Sequence, residues 1–344
     1  MEPNRVKKEI TTLTLRFFSM IFLPIILIYA LMGWGALYRQ KTAYVKEHEL
    51  VESNRLEMET RLFESTLAGY LTDGAILADV IRRILAQASD QNAAHAHLAD
   101  IFKAYTIHHR IYDQIRYIDQ SGMEIVRMNW TPDKGAWTTP PAALQNKSQL
   151  PYFINGIRQP HGNCYLSAFD LNDEHGKVEQ PIKPMLRIVF PIGPQKENIS
   201  GILVLNLLGR ELIENIADYH NHSVGEIFLI NDQGHWLKGP SPDLEWQFMF
   251  SDTPQTMVDR LPCLWTHIAQ QPLGETFESK NGLSFYSTIS PDTLFKTADA
   301  SSEGPQLQIE AKETWHIINF VQRGDLVPPK INLLTFFLVI GSGI

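Results

Sequence analysis

Arg187 stands in an otherwise apolar stretch, Met185-Leu186-Arg187-Ile188-Val189-Phe190. A charge carried into a sheet interior needs a partner, because burying it alone is costly. The partner is either a carboxylate of the chain itself or the carboxylate of a ligand, which a guanidinium grips through two parallel hydrogen bonds. Asp173-Glu174-His175 brings three metal-competent side chains together, but neighbours this close in sequence form a solvated hairpin tip, and no metal is expected. His108-His109 and His220-x-His222 lack further ligands at metal spacing, and there is no zinc-type cysteine and histidine set. The chain carries no G-x-S-x-G, H-E-x-x-H, P-loop or G-x-G-x-x-G. No catalytic residue and no cofactor is therefore assigned, and enzymatic activity in this chain is not expected.

The elements that must position such residues begin at a membrane. Residues 17–38, FFSMIFLPIILIYALMGWGALY, contain no Asp, Glu, Lys, Arg or His. As a helix these residues reach about 33 Å, enough to cross the hydrocarbon core. No small-x-small cleavage site follows, so a retained anchor is preferred to a signal peptide. Arg5, Lys7, Lys8 and Arg16 precede the run, which puts residues 1–16 in the cytoplasm and residues 39–329 in the periplasm or extracellular space, with the inner membrane between. Residues 330–344 are expected to begin a second transmembrane helix, cut short at Ile344. Between the apolar runs, residues 39–330 hold 26 of the 30 basic and 36 of the 38 acidic residues, a formal charge of −10. That acidity argues against a nucleic-acid partner. Cys164 and Cys263 fall in different halves and are expected to be unpaired.

From Arg39 to about Gln87 the chain lacks proline and spaces its apolar residues as a helix does; a second helix is expected from Asn92 to His109. RYIDQSGMEI at 116–125 reads as strand, turn, strand, and FLINDQGHWL repeats it from Phe228. Ile115 and Tyr117 should face one side of the first strand, Arg116 and Ile118 the other. Further strands are expected at Asn163–Ala168, Met185–Pro191 and Gly201–Leu207, then at Thr276–Phe277, Leu283–Ile289 and Leu307–Phe320. Gly209–Tyr219 and Thr256–Gln270 read as helices, and Thr131–Gln149 as loop. Each hairpin thus opens a sheet of about five strands, in two modules placed at 110–220 and 221–329.

The words RYIDQSGMEIVRMN, LQNKSQLPYF, YLSAFDLNDEHGKVEQPIKPMLRIVFPI, GILVLNL and FLINDQGHWLKGPSPDLEWQFMF make most of residues 110–290 resemble the double-Cache, tandem PAS-like, sensor region of bacterial transmembrane receptors. The resemblance implies an α+β fold: a long N-terminal helix, then two antiparallel-sheet Cache modules, flanked by transmembrane helices. It also implies that the membrane-distal module binds a small ligand and that helices relay the change, in a homodimer, to a histidine kinase, GGDEF cyclase or chemoreceptor output absent from this chain. A scaffold without small ligand, or a membrane-anchored extracytoplasmic enzyme, are the competing readings.

Such modules commonly hold an amino acid through an Arg-x-Trp-Tyr word and an acidic strand end. Here the word aligns with Leu150-Pro151-Tyr152-Phe153, and the strand end is Asn206, so amino-acid recognition of the usual form is weakened at both ends. The expected pocket keeps Tyr152, Phe153 and Tyr165 as walls and Lys147, Ser167, Asp170, Arg187 and Asn206 as polar handles. Core packing explains the aromatics as well as ligand contact does, and a solvated loop explains Lys147 and Asp170.

Overall fold

The computed structural model describes residues 3–174, 177–193, 198–220, 223–272, 274, 276–295 and 307–327, with backbone only for 3–12, 174 and 218–220. One helix, α1 (Pro3–Gln87), runs without a break through the apolar run and the charged stretch beyond it. Its apolar part is long enough to cross a membrane, and none of that window is buried among the described residues. The chain separates into two compact units, and Glu52–Val321, which holds both sheets, is one of them.

After α1 comes α2 (Gln91–His109), capped by Asp90, whose side chain accepts from the Asn92 amide at 2.9 Å. The first module follows: β1 (Tyr112–Asp119), β2 (Glu124–Thr131), β3 (Gly135–Thr138), α3 (Pro151–Gly156), β4 (Asn163–Leu166), β5 (Asp170–Leu171), β6 (Asp173–Glu174), β7 (Lys177–Val178), β8 (Pro184–Ile192) and β9 (Gly201–Leu208). Helix α4 (Gly209–His220) leads to β10 (Glu226–Asn231), β11 (Trp236–Lys238), α5 (Met257–Arg260), α6 (Pro262–Gln270), β12 (Thr276–Glu278), β13 (Gly282–Ile289), β14 (Gln308–Ala311) and β15 (Trp315–Gln322).

The first sheet has the order β14-β4-β8-β9-β1-β2-β3, with β5 also on β8; the second has β11-β10-β15-β13-β12. In both, the opening hairpin lies beside the last antiparallel strand of its own module: β1 pairs with β9, and β10 with β15. The hairpins match atom for atom at their turns. Asp119 Oδ1 accepts from the amides of Ser121 and Met123, and Asn231 Oδ1 from those of Gln233 and His235. Gly122 and Gly234 supply the positive φ, +86° and +79°, that each turn requires. A one-residue register shift also recurs, between Tyr117 and Ile118 and between Leu229 and Ile230. The expected faces hold: Arg116 and Ile118 sit opposite Val204 and Ile202.

The first sheet has eight strands where about five were expected, and three expected elements change. Leu307–Phe320 is not one strand. It divides so that β14 runs parallel to β4 in the first sheet, while β15 is central in the second. Glu313 lies at the break, nearly buried, and accepts hydrogen bonds from the Phe169 amide at 2.8 Å, Trp315 Nε1 at 2.7 Å and Asn231 Nδ2 at 3.4 Å. A carboxylate with donors on both modules fixes where the chain crosses. The helix expected over Thr256–Gln270 breaks at Leu261, because Pro262 starts α6 and cannot continue α5. Within Thr131–Gln149, Gly135–Thr138 pairs with β2 as an edge strand. Asp173 and Glu174 do form a two-stranded tip with Lys177 and Val178; His175, His222 and residues 330–344 lie outside the described residues. Both cysteines are free, Cys164 buried and Cys263 exposed.

Candidate ligand-binding face of the first module

Strand register aligns two rows of side chains on one face of the first sheet. Arg187, Asn206, Gln114 and Asn129 are successive partners across β8, β9, β1 and β2, and Val189, Val204, Arg116 and Arg127 form the next row. The four members of the first row, together with Arg116 and Arg127, are buried. Helix α3 caps the apolar end of this face, where Tyr152, Phe153 and Tyr165 pack with Ile118, Val189, Ile202 and Val204.

At the boundary between apolar floor and polar rows, two guanidiniums converge on one ring. The Arg116 carbon lies 5.2 Å and the Arg187 carbon 5.5 Å from the Tyr152 centroid. Arg116 donates to Tyr152 Oη at 2.9 Å and to Asn206 Oδ1 at 2.5 Å, and Glu124 lies 3.5 Å from it. Arg187 donates to both Asp170 oxygens at 2.7 and 2.6 Å, and its backbone amide donates to Ser167 Oγ at 2.9 Å. The Nε atoms of Arg116 and Arg187 are buried and have no partner among the described residues. Lys183 sits between Asp113 at 3.3 Å and Glu179 at 2.8 Å. Burial pushes the Asp113 carboxyl above its usual range, against the opposing pull of Lys183.

Of the sequence-predicted residues, the structure brings Tyr152, Ser167, Asp170, Arg187 and Asn206 into this contact set. Phe153 and Tyr165 belong to the floor, where Tyr165 Oη accepts from Asn155 Nδ2 at 3.3 Å. Lys147 stands one step away: it donates to Gln145 Oε1 at 2.6 Å, and the Gln145 amide donates to Glu124 Oε2 at 3.1 Å. Arg187 has an internal partner, as the burial argument requires. The guanidinium lacking at Leu150 is present in space, because β1 and β8 deliver two. Arg116 was legible by the rule that singled out Arg187, a charge between apolar neighbours. Glu124 was not: plain alternation sends it to the face of Val126, and only the register shift turns it toward Arg116.

The second module has the same hairpin with other contents. Arg116 corresponds to Phe228, Glu124 to Trp236, and Asn206 to Phe320 by register. Phe228 meets Trp236 edge-on at 5.5 Å and stacks with Phe320 at 6.4 Å. Ile230, Met257, Leu264, Ile268, Tyr286 and Ile318 complete an apolar core there.

The comparisons with known proteins agree with this architecture. The family model described as bacterial histidine kinase, sensor domain, matches residues 58–295. None of the curated proteins matches the sequence. Among solved structures, the extracellular domain of histidine kinase vpHK1S-Z8 superposes with TM-score 0.65 at 18% identity, over 86% of this chain and 99% of that one. A domain of a sensory box/GGDEF family protein from Vibrio parahaemolyticus gives 0.64 at 20%, over 83% and 100%. The ligand-binding domain of the Pseudomonas aeruginosa amino-acid chemoreceptor PctC, in complex with GABA, gives 0.50 at 12%, over 80% and 99%. A long helix followed by two sheet modules of this topology is the fold of a Cache-type sensor region. The chain belongs to the bacterial histidine kinase sensor-domain family.

Proposed function

We propose that the first module is the input of a transmembrane receptor and that its polar face binds a small carboxylate-bearing molecule. The observation that carries this reading is the pair of buried guanidiniums on either row of the face, sharing the Tyr152 ring and each leaving Nε unpartnered. A ligand carboxylate would compete with Asp170 for Arg187, while Asp113 or the released Asp170 would suit an amine, so zwitterions fit the balance of charges. The GABA complex of the structurally similar PctC domain supports this class. The polar handles are Tyr152, Ser167, Asp170, Arg187 and Asn206, with Arg116 added; Phe153, Tyr165 and Lys147 support them.

In this reading, residues 110–220 are membrane-distal and 221–329 membrane-proximal, both in the periplasm, and α1 crosses the inner membrane through residues 17–38. The ligand acts by favouring one arrangement of the first module, which biases the helices toward a kinase or cyclase output. Two copies would pair along α1, where the exposed stripe Met58, Leu62, Ser65, Gly69, Thr72 and Ile76 alternates steps of four and three, the spacing of a coiled-coil seam. Cysteine crosslinking at positions 62 and 69 in membranes, with Cys263 replaced, checks the pairing; absence of a dimer band refutes it.

The binding reading is tested by thermal unfolding of the full chain in nanodiscs with amino acids, GABA and dicarboxylates. One class should give saturable stabilisation that Arg187→Lys and Arg116→Lys reduce at least tenfold in affinity. Stabilisation by none, or stabilisation indifferent to both arginines, would overturn it.

A further inference from the structure

A cavity lined by none of the residues of this face lies between the 53–64 stretch of α1 and the face of β12 and β13 turned toward it. Its volume is about 390 Å³, within the range of roughly 300–1,000 Å³ typical of small-molecule sites. Leu56 and Phe285, both buried, form an apolar wall; Ser53, Thr60, Thr276 and Ser287 contribute hydroxyls; Glu57, Arg61 and Glu64 contribute charge. Tyr286 also borders it, but its hydroxyl is committed to the Gln271 carbonyl at 2.7 Å.

Two observations single this cavity out. Thr60 is 8% exposed, and its hydroxyl has no hydrogen-bond partner among the described residues. Elsewhere on the same helix, Thr42 and Thr72 turn their hydroxyls onto the carbonyls four residues back, at 3.0 and 2.8 Å. Thr60 forgoes that bond at a position that lines the cavity. The second observation is the charge. Arg61 donates to Glu57 at 2.5 Å, which neutralises that pair, and leaves half-buried Glu64 without a hydrogen bond or ion pair among the described residues. Burial raises the Glu64 carboxyl above its ordinary range, only partly opposed by Arg61. A carboxylate in that setting gains by meeting a cation.

We propose that this cavity is a second ligand site, between α1 and the second module, and that it takes a small organic cation: an ammonium placed against the Glu64 carboxylate and beside Thr60, with a short hydrocarbon body on Leu56 and Phe285. The carboxylate accepts the ammonium N–H, and Thr60 Oγ1, which exposes almost no surface, joins it only when the Thr60 side chain turns toward the occupant. Because the site joins the membrane-entering helix to the second sheet, its occupant would restrain one against the other independently of the first module.

Isothermal titration of the full chain in nanodiscs with n-butylamine, putrescine and choline tests this, with n-butanol and butyrate as neutral and anionic matches. At least one amine should bind saturably and neither match should. Glu64→Gln should weaken binding at least tenfold, Thr60→Val severalfold, and Ser53→Trp, at the exposed rim, should block it without touching the core. Arg187→Lys should leave it unchanged. Binding should also weaken as pH falls through the raised Glu64 pKa. The proposal is overturned if no amine binds, if binding survives both Glu64→Gln and Ser53→Trp, or if Arg187→Lys abolishes it, which would place the amine in the first module instead.

Discussion

The two modules use one backbone plan for opposite ends. Their hairpins share the turn acceptor, the positive-φ glycine and the register shift, so the same three positions converge on one face in each. In the first module those positions hold Arg116, Glu124 and Asn206; in the second they hold Phe228, Trp236 and Phe320. Apolar residues at such sites stabilise by leaving water and by packing, whereas a buried ion pair returns little net stability after desolvation. The first module keeps a polar interior at no evident gain in stability. That cost has a reason if the face exchanges its internal partners for a ligand's, and the aromatic interior of the second module fits a relay that holds its shape.

The contrast can be broken most forcefully in the two interiors. Trp236→Ala should cost about 3–5 kcal/mol in denaturant unfolding, because it empties a fully buried site, and should leave ligand affinity in the first module intact. Arg116→Met alone should cost about 2–3 kcal/mol, because Glu124 then keeps only Arg127 at 4.0 Å and the Gln145 amide at 3.1 Å, but Arg116→Met with Glu124→Leu should recover at least half of that loss. The double variant should still bind no ligand. A double variant as unstable as the single would show that the pair serves stability, and the comparison would fail.

The seam between modules gives the next effect. Burial raises the Glu313 carboxyl from its usual value to about 7, outweighing its three hydrogen-bond donors. A carboxyl raised on folding favours the native state when protonated, so its contribution is complete below the unfolded value near 4.5 and is lost as pH rises through about 7. The parent should therefore lose about 3 kcal/mol between these limits relative to Glu313→Gln, measured as the difference in the pH dependence of unfolding. Parallel pH profiles would remove Glu313 from the seam's energetics. The smallest effect sharpens the likeness of the hairpins: Asp119→Asn, which installs the residue of the second turn, should change stability by less than about 0.5 kcal/mol, while Asp119→Ala should cost about 1 kcal/mol by freeing two amides.

Much of this architecture was readable in advance because its signals are local. The uncharged run at 17–38, the helical spacing to Gln87 and the paired turn words each depend on residues a few positions apart, and the structure returns them within a residue or two. A burial argument singled out Arg187 and its need for a partner, but Asp170 read equally well as a solvated loop residue, and nothing in the sequence told that the two face each other. Where expectations gave way, the cause lay at longer range. Leu307–Phe320 has the composition of one strand, yet two different sheets offer it edges, and Glu313 finds donors on both.

Composition and periodicity by themselves determined that this protein has a membrane-length helix and two successive sheet modules, since hydrophobic burial and backbone hydrogen bonding act on neighbours and leave a periodic trace. Only the tertiary structure decided which charges meet. Arg116 and Arg187 reach Tyr152 from strands 71 residues apart, and Glu124 joins them because one extra residue in β2 reverses its face. Such encounters depend on strand order and register, which local sequence does not record.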